Sequence, residues 1–448
     1  MESKSGKASE FVRYWARRLT RKPYLHTGNI REYQISRINN LISHARNNSP
    51  FYADLYGNLP ADFRIKELPD MNALPVASKE VFRKACSSGL VLHKDVDKGR
   101  LIWATTTGST GTPSTVLFTE KSYKQRRRVT DRVFHNAGLR TYRRFCLIWR
   151  NREMSKSSRR RHNKGLFMNL AVGDATSPVQ SALTQDKFAG LVRSLIEFNP
   201  QVIRGYVSAL FTIADYMEKN GLTIQGLERV ITSAEYLPSP VWDTLERVFK
   251  CPVINFYGSS EADSIACSSV SSRLMTISED LYFAEVLDEN NKPVKAGQQG
   301  LITLTNLTAT AMPFIRFQIG DMAVVDEDFY NYGDKFRHFV SVEGRTNDVF
   351  ELEDGSVIFS HLWHIIFRDQ SWIETFQVIQ KSTSRIEIKI LCSQGNDQNL
   401  SSLVQTIRER FKGINFDFQV VDRIDTGPGG KFRAVMSEVP NKFNRINK

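Results

Sequence analysis

From Phe188 to Tyr257 the apolar positions alternate between two periods. Phe188 to Phe198, Ala209 to Lys219 and Pro240 to Phe249 repeat at helical spacing. Between them lie short apolar runs, Val202-Ile203, Arg229-Val230-Ile231-Thr232 and Val253-Ile254-Asn255-Phe256-Tyr257, which read as buried strands. This alternation predicts an α/β fold built on layered, mostly parallel sheets. In such sheets the ligand crevice lies at the carboxyl ends of the strands. Gly205-Tyr206, Ser233-Ala234-Glu235 and Gly258 to Glu261 are therefore expected to face one cleft.

On either side of this block the pattern changes. Phe11, Tyr14, Trp15 and Leu19 recur at helical spacing among basic residues, so residues 11–22 predict an amphipathic helix. It packs on the main domain or, as the alternative, makes peripheral contact with a membrane surface. Ile35 to Ala45 predicts a helix that stops near Pro50, with His44 as a structural histidine near its end. Lys121 to Arg132 predicts a basic helix, and the run Lys156 to Lys164 a mobile surface loop that is merely solvated or, as the alternative, attracts the phosphates of a nucleotide-bearing molecule. Residues 281–325 switch to strand alternation, expected as a distorted barrel appended to the sheets. Beyond Gly344 the chain reads as a small α+β domain, with strands near Phe376 to Gln380, Ile386 to Leu391 and Phe416 to Val421, and a helix near Leu400 to Phe411. The expected organisation is a large N-terminal domain over 1–343 and a small mobile domain over 344–448.

Composition narrows the classes. A chain of 448 residues, 41% hydrophobic, buries a sizeable core in two or three domains. It contains no run of the roughly 20 apolar residues that a bilayer span requires, and the N-terminus lacks a signal-peptide core, so a cytoplasmic protein is expected. Five scattered cysteines without a CxxC pair argue against a disulfide framework and a cysteine-built zinc site. His361 and His364, at i and i+3, show no third metal ligand. The net charge of +13 implies anionic company: ATP, coenzyme A, an acidic carrier protein or an anionic membrane. Nucleic-acid binding is the rival class, but no recognisable binding motif interleaves with the basic residues.

The candidate chemistry starts at Thr105 to Thr115, a run of hydroxyls with Gly108 and Gly111 inside it. Apolar residues flank it as the two strands of a hairpin. Glycines let backbone N–H groups converge and hydroxyls add donors, which suits a polyphosphate; taken alone, the run also reads as an exposed turn. No Gly-Lys-Ser/Thr follows, so it is not a Walker loop. Five further segments follow in order: Ser233-Ala234-Glu235, Tyr257-Gly258-Ser259-Ser260-Glu261, Arg316 to Asp321, Glu343 to Asp348, and Gly429-Gly430-Lys431-Phe432-Arg433. Together with the loop they resemble the signature segments of adenylate-forming enzymes, in particular the phenylacetate-CoA ligase and CapK-like branch. His44-Ala45, Pro50-Phe51-Tyr52 and Leu74 to Lys79 resemble the start of that branch.

The resemblance implies activation of a small-molecule carboxylic acid by ATP and Mg²⁺ as an acyl-AMP. The acyl group then passes to coenzyme A, or to an amine, sugar or carrier protein; transfer of AMP itself stays open. It implies that Thr106, Thr107, Gly108, Ser109, Thr110 and Gly111 hold the β- and γ-phosphates, although Thr112 stands where the family commonly has lysine. Glu261 matches the Mg²⁺ ligand and Ser260 the hydroxyl that meets the α-phosphate. Tyr257, Gly258, Ala234 and Glu235 match the adenine site, Asp321 the ribose acceptor and Arg345 the linker arginine. Asn347 falls at the hinge, where the family has aspartate or lysine, and Lys431 matches the catalytic lysine. Tyr206 and Ser233, beside Tyr257, are expected to line the acyl pocket.

Overall fold

The computed structural model describes residues 28–92, 101–105, 115–137, 144–149, 156–171, 185–259, 261–333, 335–345, 349–353, 357–359, 372–392, 397–411, 413–424 and 434–439, with His26, Trp363, Ile366, Phe367 and Gln370. Helix α1 (Ile30–Asn48) starts where the Asn29 side chain accepts the N–H groups of Arg31 and Glu32. It buries Ile30, Gln34, Ile38, Leu41, Ile42 and Ala45, a stripe on one helical face. Pro50 both bars the continuation of α1 and opens α2 (Pro50–Leu55), whose first turn needs no N–H there. After a 3₁₀ turn at Leu68–Ala73, Ser78 caps α3 (Lys79–Ser87) by accepting from the Val81 N–H.

Strands β1 (Ile102–Thr105) and β2 (Thr115–Phe118) pair antiparallel from Ile102↔Phe118 to Thr105↔Thr115, the expected stem of the hydroxyl-rich run. The run's tip, 106–114, lies outside the described residues, as does the expected helix over 11–22. Helix α4 (Glu120–Asn136) follows, then β3 (Phe145–Trp149), α5 (Lys156–His162), β4 (Phe167–Ala171), α6 (Gln185–Phe198), β5 (Val202–Gly205), α7 (Val207–Lys219), β6 (Arg229–Ser233), α8 (Ser239–Phe249), β7 (Val253–Ser259), β8 (Asp263–Cys267) and β9 (Met275–Ile277). Next come β10 (Tyr282–Leu287), β11 (Gln299–Asn306), β12 (Phe317–Val324), β13 (His338–Phe339) and β14 (Ser341–Arg345).

Eight of these strands form one sheet in the order β13-β9-β8-β7-β6-β5-β3-β4, parallel from β7 through β4. Alternate residues of its strands enter two different cores. Ile203, Val230 and Val253 pack with α6, α7 and α8 through Val192, Leu210, Ile213 and Leu245. Val202, Ile231, Ile254 and Phe256 face the other way, into a core shared with α1 to α4 and with β10 to β12. A sheet covered on both faces explains why its strands read as nearly continuous apolar runs.

β10, β11, β12 and β14 form a four-stranded antiparallel half-barrel, an open version of the expected barrel, with register shifts at Leu301/Thr303 and Asp321/Ala323. The amino-terminal segment is stitched to this region. Arg37 donates to the Leu307 carbonyl at 3.0 and 2.8 Å, and His44 Nε2 lies 2.9 Å from the Thr310 carbonyl. The Tyr52 hydroxyl donates to Pro313 O and accepts the Ile315 N–H, at 3.1 and 3.0 Å. Ala77 then bridges Phe317 at the start of β12.

The last elements are β15 (Val349–Glu351), β16 (Val357–Phe359), β17 (Ile373–Ser382), β18 (Arg385–Cys392), α9 (Asp397–Arg410), β19 (Asn415–Val420) and β20 (Val435–Ser437). The order β19-β18-β17-β20 gives a mixed sheet, and Phe350, Trp363, Val378, Ile388, Ile407 and Val435 close a third core. These match the strands and helix expected there.

One expectation is corrected. The run Lys156 to Lys164 is not a loop: α5 takes up Lys156–His162 and ends in a turn where Gly165 adopts φ +65°. Arginine is a good helix former and glycine ends helices readily in the left-handed region. The Arg161 guanidinium is pushed below its ordinary pKa by burial, so the run is not wholly a solvated surface.

Candidate active site

At the carboxyl end of β7 the chain makes a bulge, with the register slipping between Tyr257 and Gly258 against β8. A Cβ on Gly258 would fall 2.0 Å from the carbonyl oxygen of Asp263, so only glycine fits. Asp263 itself has φ +53°. This slip carries Tyr257 toward the half-barrel. Gly258→Ala is expected to shift the urea midpoint down by about 3 kcal/mol of stability, because backbone rather than a side chain must move. An unchanged midpoint would mean that the bulge is free to relax.

The Tyr257 hydroxyl donates to Asp321 Oδ2 at 2.8 Å, joining the large sheet to β12. Asp321 pairs in register with Arg345 on β14, which brings a second site residue alongside it in the backbone ladder. β14 runs through Gly344 as far as Arg345.

Glu261 is buried just past the same bulge. The Lys79 ammonium, carried on the first turn of α3, stands 3.4 Å from its Oε1 and donates to the Ile319 carbonyl at 3.0 Å. Burial alone would push the Glu261 carboxyl up. Lys79, the residue's own backbone N–H and the Ser259 hydroxyl outweigh that and hold it below the usual carboxylate range. A buried, ionised carboxylate fits a hard divalent cation whose remaining ligands are phosphate oxygens and water, since such a cation asks for only one or two carboxylates.

On the neighbouring strand, Ser233 ends β6, and its Oγ accepts from Arg204 Nη2 at 3.2 Å. Tyr206, at the end of β5, stacks on Trp149 with centroids 4.1 Å apart and planes 17° from parallel. Ala234, just past Ser233, is held at φ +71° and exposed, and Glu235 is half-buried.

The predicted residues thus fall into two groups. Tyr257, Gly258, Glu261 and Asp321 gather about the β7 bulge, with Arg345 opposite Asp321 in the backbone ladder, and Tyr206, Ser233, Ala234 and Glu235 lie at or just past the carboxyl ends of β5 and β6. Residues 106–114, Ser260, Asn347, His361, His364 and Lys431 lie outside the described residues. Sequence reasoning missed Lys79 and Arg204. Lys79 drew notice only within the run Leu74 to Lys79; its partners are far along the chain. Arg204 left a clearer signal, a lone charge in the apolar strand Val202-Ile203-Arg204-Gly205.

Residues 350–438 match the CapK C-terminal domain. The chain is 24% identical over 424 residues to protein CapK of Staphylococcus aureus, covering 91% of this chain and 89% of that one. It is 23% identical over 383 residues to the phenylacetate-coenzyme A ligase of Thermus thermophilus, 82% of each. It superposes on 2-hydroxyisobutyryl-CoA ligase, solved in the postadenylation state with R3-HIB-AMP, with a TM-score of 0.69 and 16% identity, covering 96% and 95% of the two chains. The chain therefore has the fold of the adenylate-forming ligases, is similar along most of its length to CapK and to phenylacetate-coenzyme A ligase, and matches the CapK C-terminal domain over residues 350–438.

Proposed function

We propose that this protein is an AMP-forming acid ligase: it activates a carboxylic acid with ATP as an acyl-AMP, releases pyrophosphate, and passes the acyl group to coenzyme A. The observation that carries this reading is the convergence of the Tyr257–Asp321 hydrogen bond and the ionised Glu261 at the carboxyl end of β7. Asp321, which accepts the Tyr257 hydroxyl, would also accept from the hydroxyls of a ribose diol. Tyr257 itself would present its ring to adenine, and Ser233 and Tyr206 would line the acid's side.

Glu261 would hold Mg²⁺ together with the ATP phosphates, and the ion would neutralise charge as pyrophosphate departs. Lys79 keeps Glu261 ionised and oriented. Its place beside Glu261 also makes it a source of positive charge where Thr112 offers none. Residues 106–111 would cradle the phosphates and Ser260 would meet the α-phosphate. We assign ATP and acid binding to 1–343, extended by the end of β14 to Arg345 because that strand is paired with Asp321, and a mobile role to the rest of 344–448, with Asn347 as the hinge and Lys431 as its catalytic lysine. The protein would work in the cytoplasm; among the described residues no helix is long and apolar enough to cross a membrane.

The test is ATP–pyrophosphate exchange against a panel of acids, followed by addition of coenzyme A to the active one. Absence of exchange with every acid would refute the reading. Asp321→Ala should weaken ATP binding by about 10- to 100-fold in isothermal titration, the cost of losing charged hydrogen bonds of about 1.5–3 kcal/mol. Unchanged affinity would remove Asp321 from the ribose site.

A second reading differs only in the acceptor. The similarity to CapK spans more of the chain than that to the Thermus ligase, and the CapK-like resemblance allows an amine, sugar or carrier protein in place of coenzyme A. An acyl-AMP that forms but is not discharged by coenzyme A would select it.

A further inference from the structure

Arg204 is the third residue of a four-residue strand whose neighbours, Val202 and Ile203, are fully buried. It projects onto the sheet face that carries Ile231, Ser233, Ile254 and Phe256, one residue before the crevice. Its guanidinium carbon lies 4.7 Å from the ring centroid of Phe256, 4.8 Å from that of Phe134 and 5.8 Å from that of Trp149. Nη2 donates to Ser233 Oγ, while the buried Nε has no hydrogen-bond partner. Burial lowers the pKa to about 10, partly offset by the Asp263 carboxylate, so the group stays cationic at neutral pH. Asp263 does not pair with it: among the described residues no carboxylate lies within 4 Å of Arg204, and Asp263 accepts the Thr130 hydroxyl at 3.0 Å.

A half-buried cation held by one hydroxyl and aromatic faces is a poor structural choice. An apolar side chain of similar volume would serve the core as well or better, because it carries no desolvation cost. Of the five N–H donors of a guanidinium, arranged as a rigid fork, Ser233 takes one. Of the residues assigned above to the acid's side, Ser233 sits against this fork and Tyr206 against Trp149.

We propose that Arg204 is a specificity-determining residue that binds a second oxygen acceptor, a carboxylate or a hydroxyl, at the end of the acid remote from the reacting carboxylate. The substrate class is then an oxygen-bearing acid, a dicarboxylic or hydroxy acid, in preference to one with a purely hydrocarbon tail. The inference rests on the ligase reading and refines it. The fork fits an oxygen acceptor and the rings beside it fit the carbon chain that leads to it.

The experiment compares kcat/KM in pyrophosphate exchange for matched acids at several chain lengths: the plain alkanoate, the ω-hydroxy acid and the dicarboxylate. The wild type should favour an oxygen-bearing member over the plain acid by about 10- to 100-fold, the range expected for hydrogen bonds to a charged group. The dicarboxylate and ω-hydroxy arms identify which acceptor is read. In Arg204→Met that preference should collapse to near one, and in Arg204→Lys, which keeps the charge but loses the fork, it should fall part way. A preference is a ratio within one preparation, so partial loss of folded protein does not alter it; Arg204→Gln provides a second variant if Arg204→Met does not fold. A wild type that favours plain acids, or variants that keep the wild-type ratio, would overturn the assignment while leaving the ligase reading standing. Exchange with no acid of any kind would overturn both.

Discussion

Lys431→Ala is expected to abolish pyrophosphate exchange while leaving a folded protein that still binds ATP. Thr426-Gly427-Pro428-Gly429-Gly430 precede the lysine, four loop-forming residues among them, which suits a finger able to reach another domain's crevice. Within the proposed reaction the ammonium bridges the attacking carboxylate and the α-phosphate, where negative charge builds as the bond to pyrophosphate breaks. Such a contact acts mainly in the transition state, and losing one costs on the order of a hundred- to a thousand-fold in rate. Once the adenylate exists the lysine has no further task. Given preformed acyl-AMP, the variant should therefore still acylate the acceptor at near the normal rate. Parallel collapse of both half-reactions would mean that Lys431 serves the fold or both steps, and the mobile-domain proposal would fall with it.

The second large effect is structural. Glu285→Ala should destabilise the protein by about 3–5 kcal/mol, read as a lower urea midpoint. Arg316 and Glu285 are almost fully buried and meet through two hydrogen bonds, at 3.0 Å from Nε and 2.8 Å from Nη2. Nη1 of the same guanidinium donates to the Leu74 carbonyl at 2.5 Å. Removing the carboxylate alone leaves a cation in the core with one carbonyl to hold it. The double variant Glu285→Leu, Arg316→Met should lose less than Glu285→Ala, since no charge is then stranded. If the double variant is the less stable one, the pair's geometry matters more than its charge. ATP affinity should weaken in Glu285→Ala, because Leu74, Ala77 and Lys79 lie on one short stretch tied to β12.

The parts of the fold that could be read in advance are those where one local rule decides the outcome. The parallel strands are buried on both faces and show as apolar runs; the helices between them show a stripe; the hairpin shows turn residues between two apolar segments. α5 could not be read this way, because Lys156 to His162 has no apolar stripe and its helicity rests on propensity alone. Within the site, Tyr257, Asp321 and Glu261 were legible from their motifs and the strand-end rule. Lys79 was not, because its meaning depends on Ile319, 240 residues away, and on Glu261. Arg204 was visible as a charge out of place, but its surroundings come from Phe134, Trp149 and Phe256 on other elements.

The stitching of α1 and α2 to residues 307–315 bears on how the chain is made. Arg37 waits for Leu307, 270 residues downstream, before its guanidinium finds a partner. At roughly 5–20 residues per second a ribosome takes about 14–54 s to supply it. During that interval the apolar stripe of α1 and the ring of Tyr52 have no half-barrel to cover them. Among the described elements α1 and α2 are thus made early and sealed late, which makes them a natural target for a holding chaperone and for a protease acting on the nascent chain.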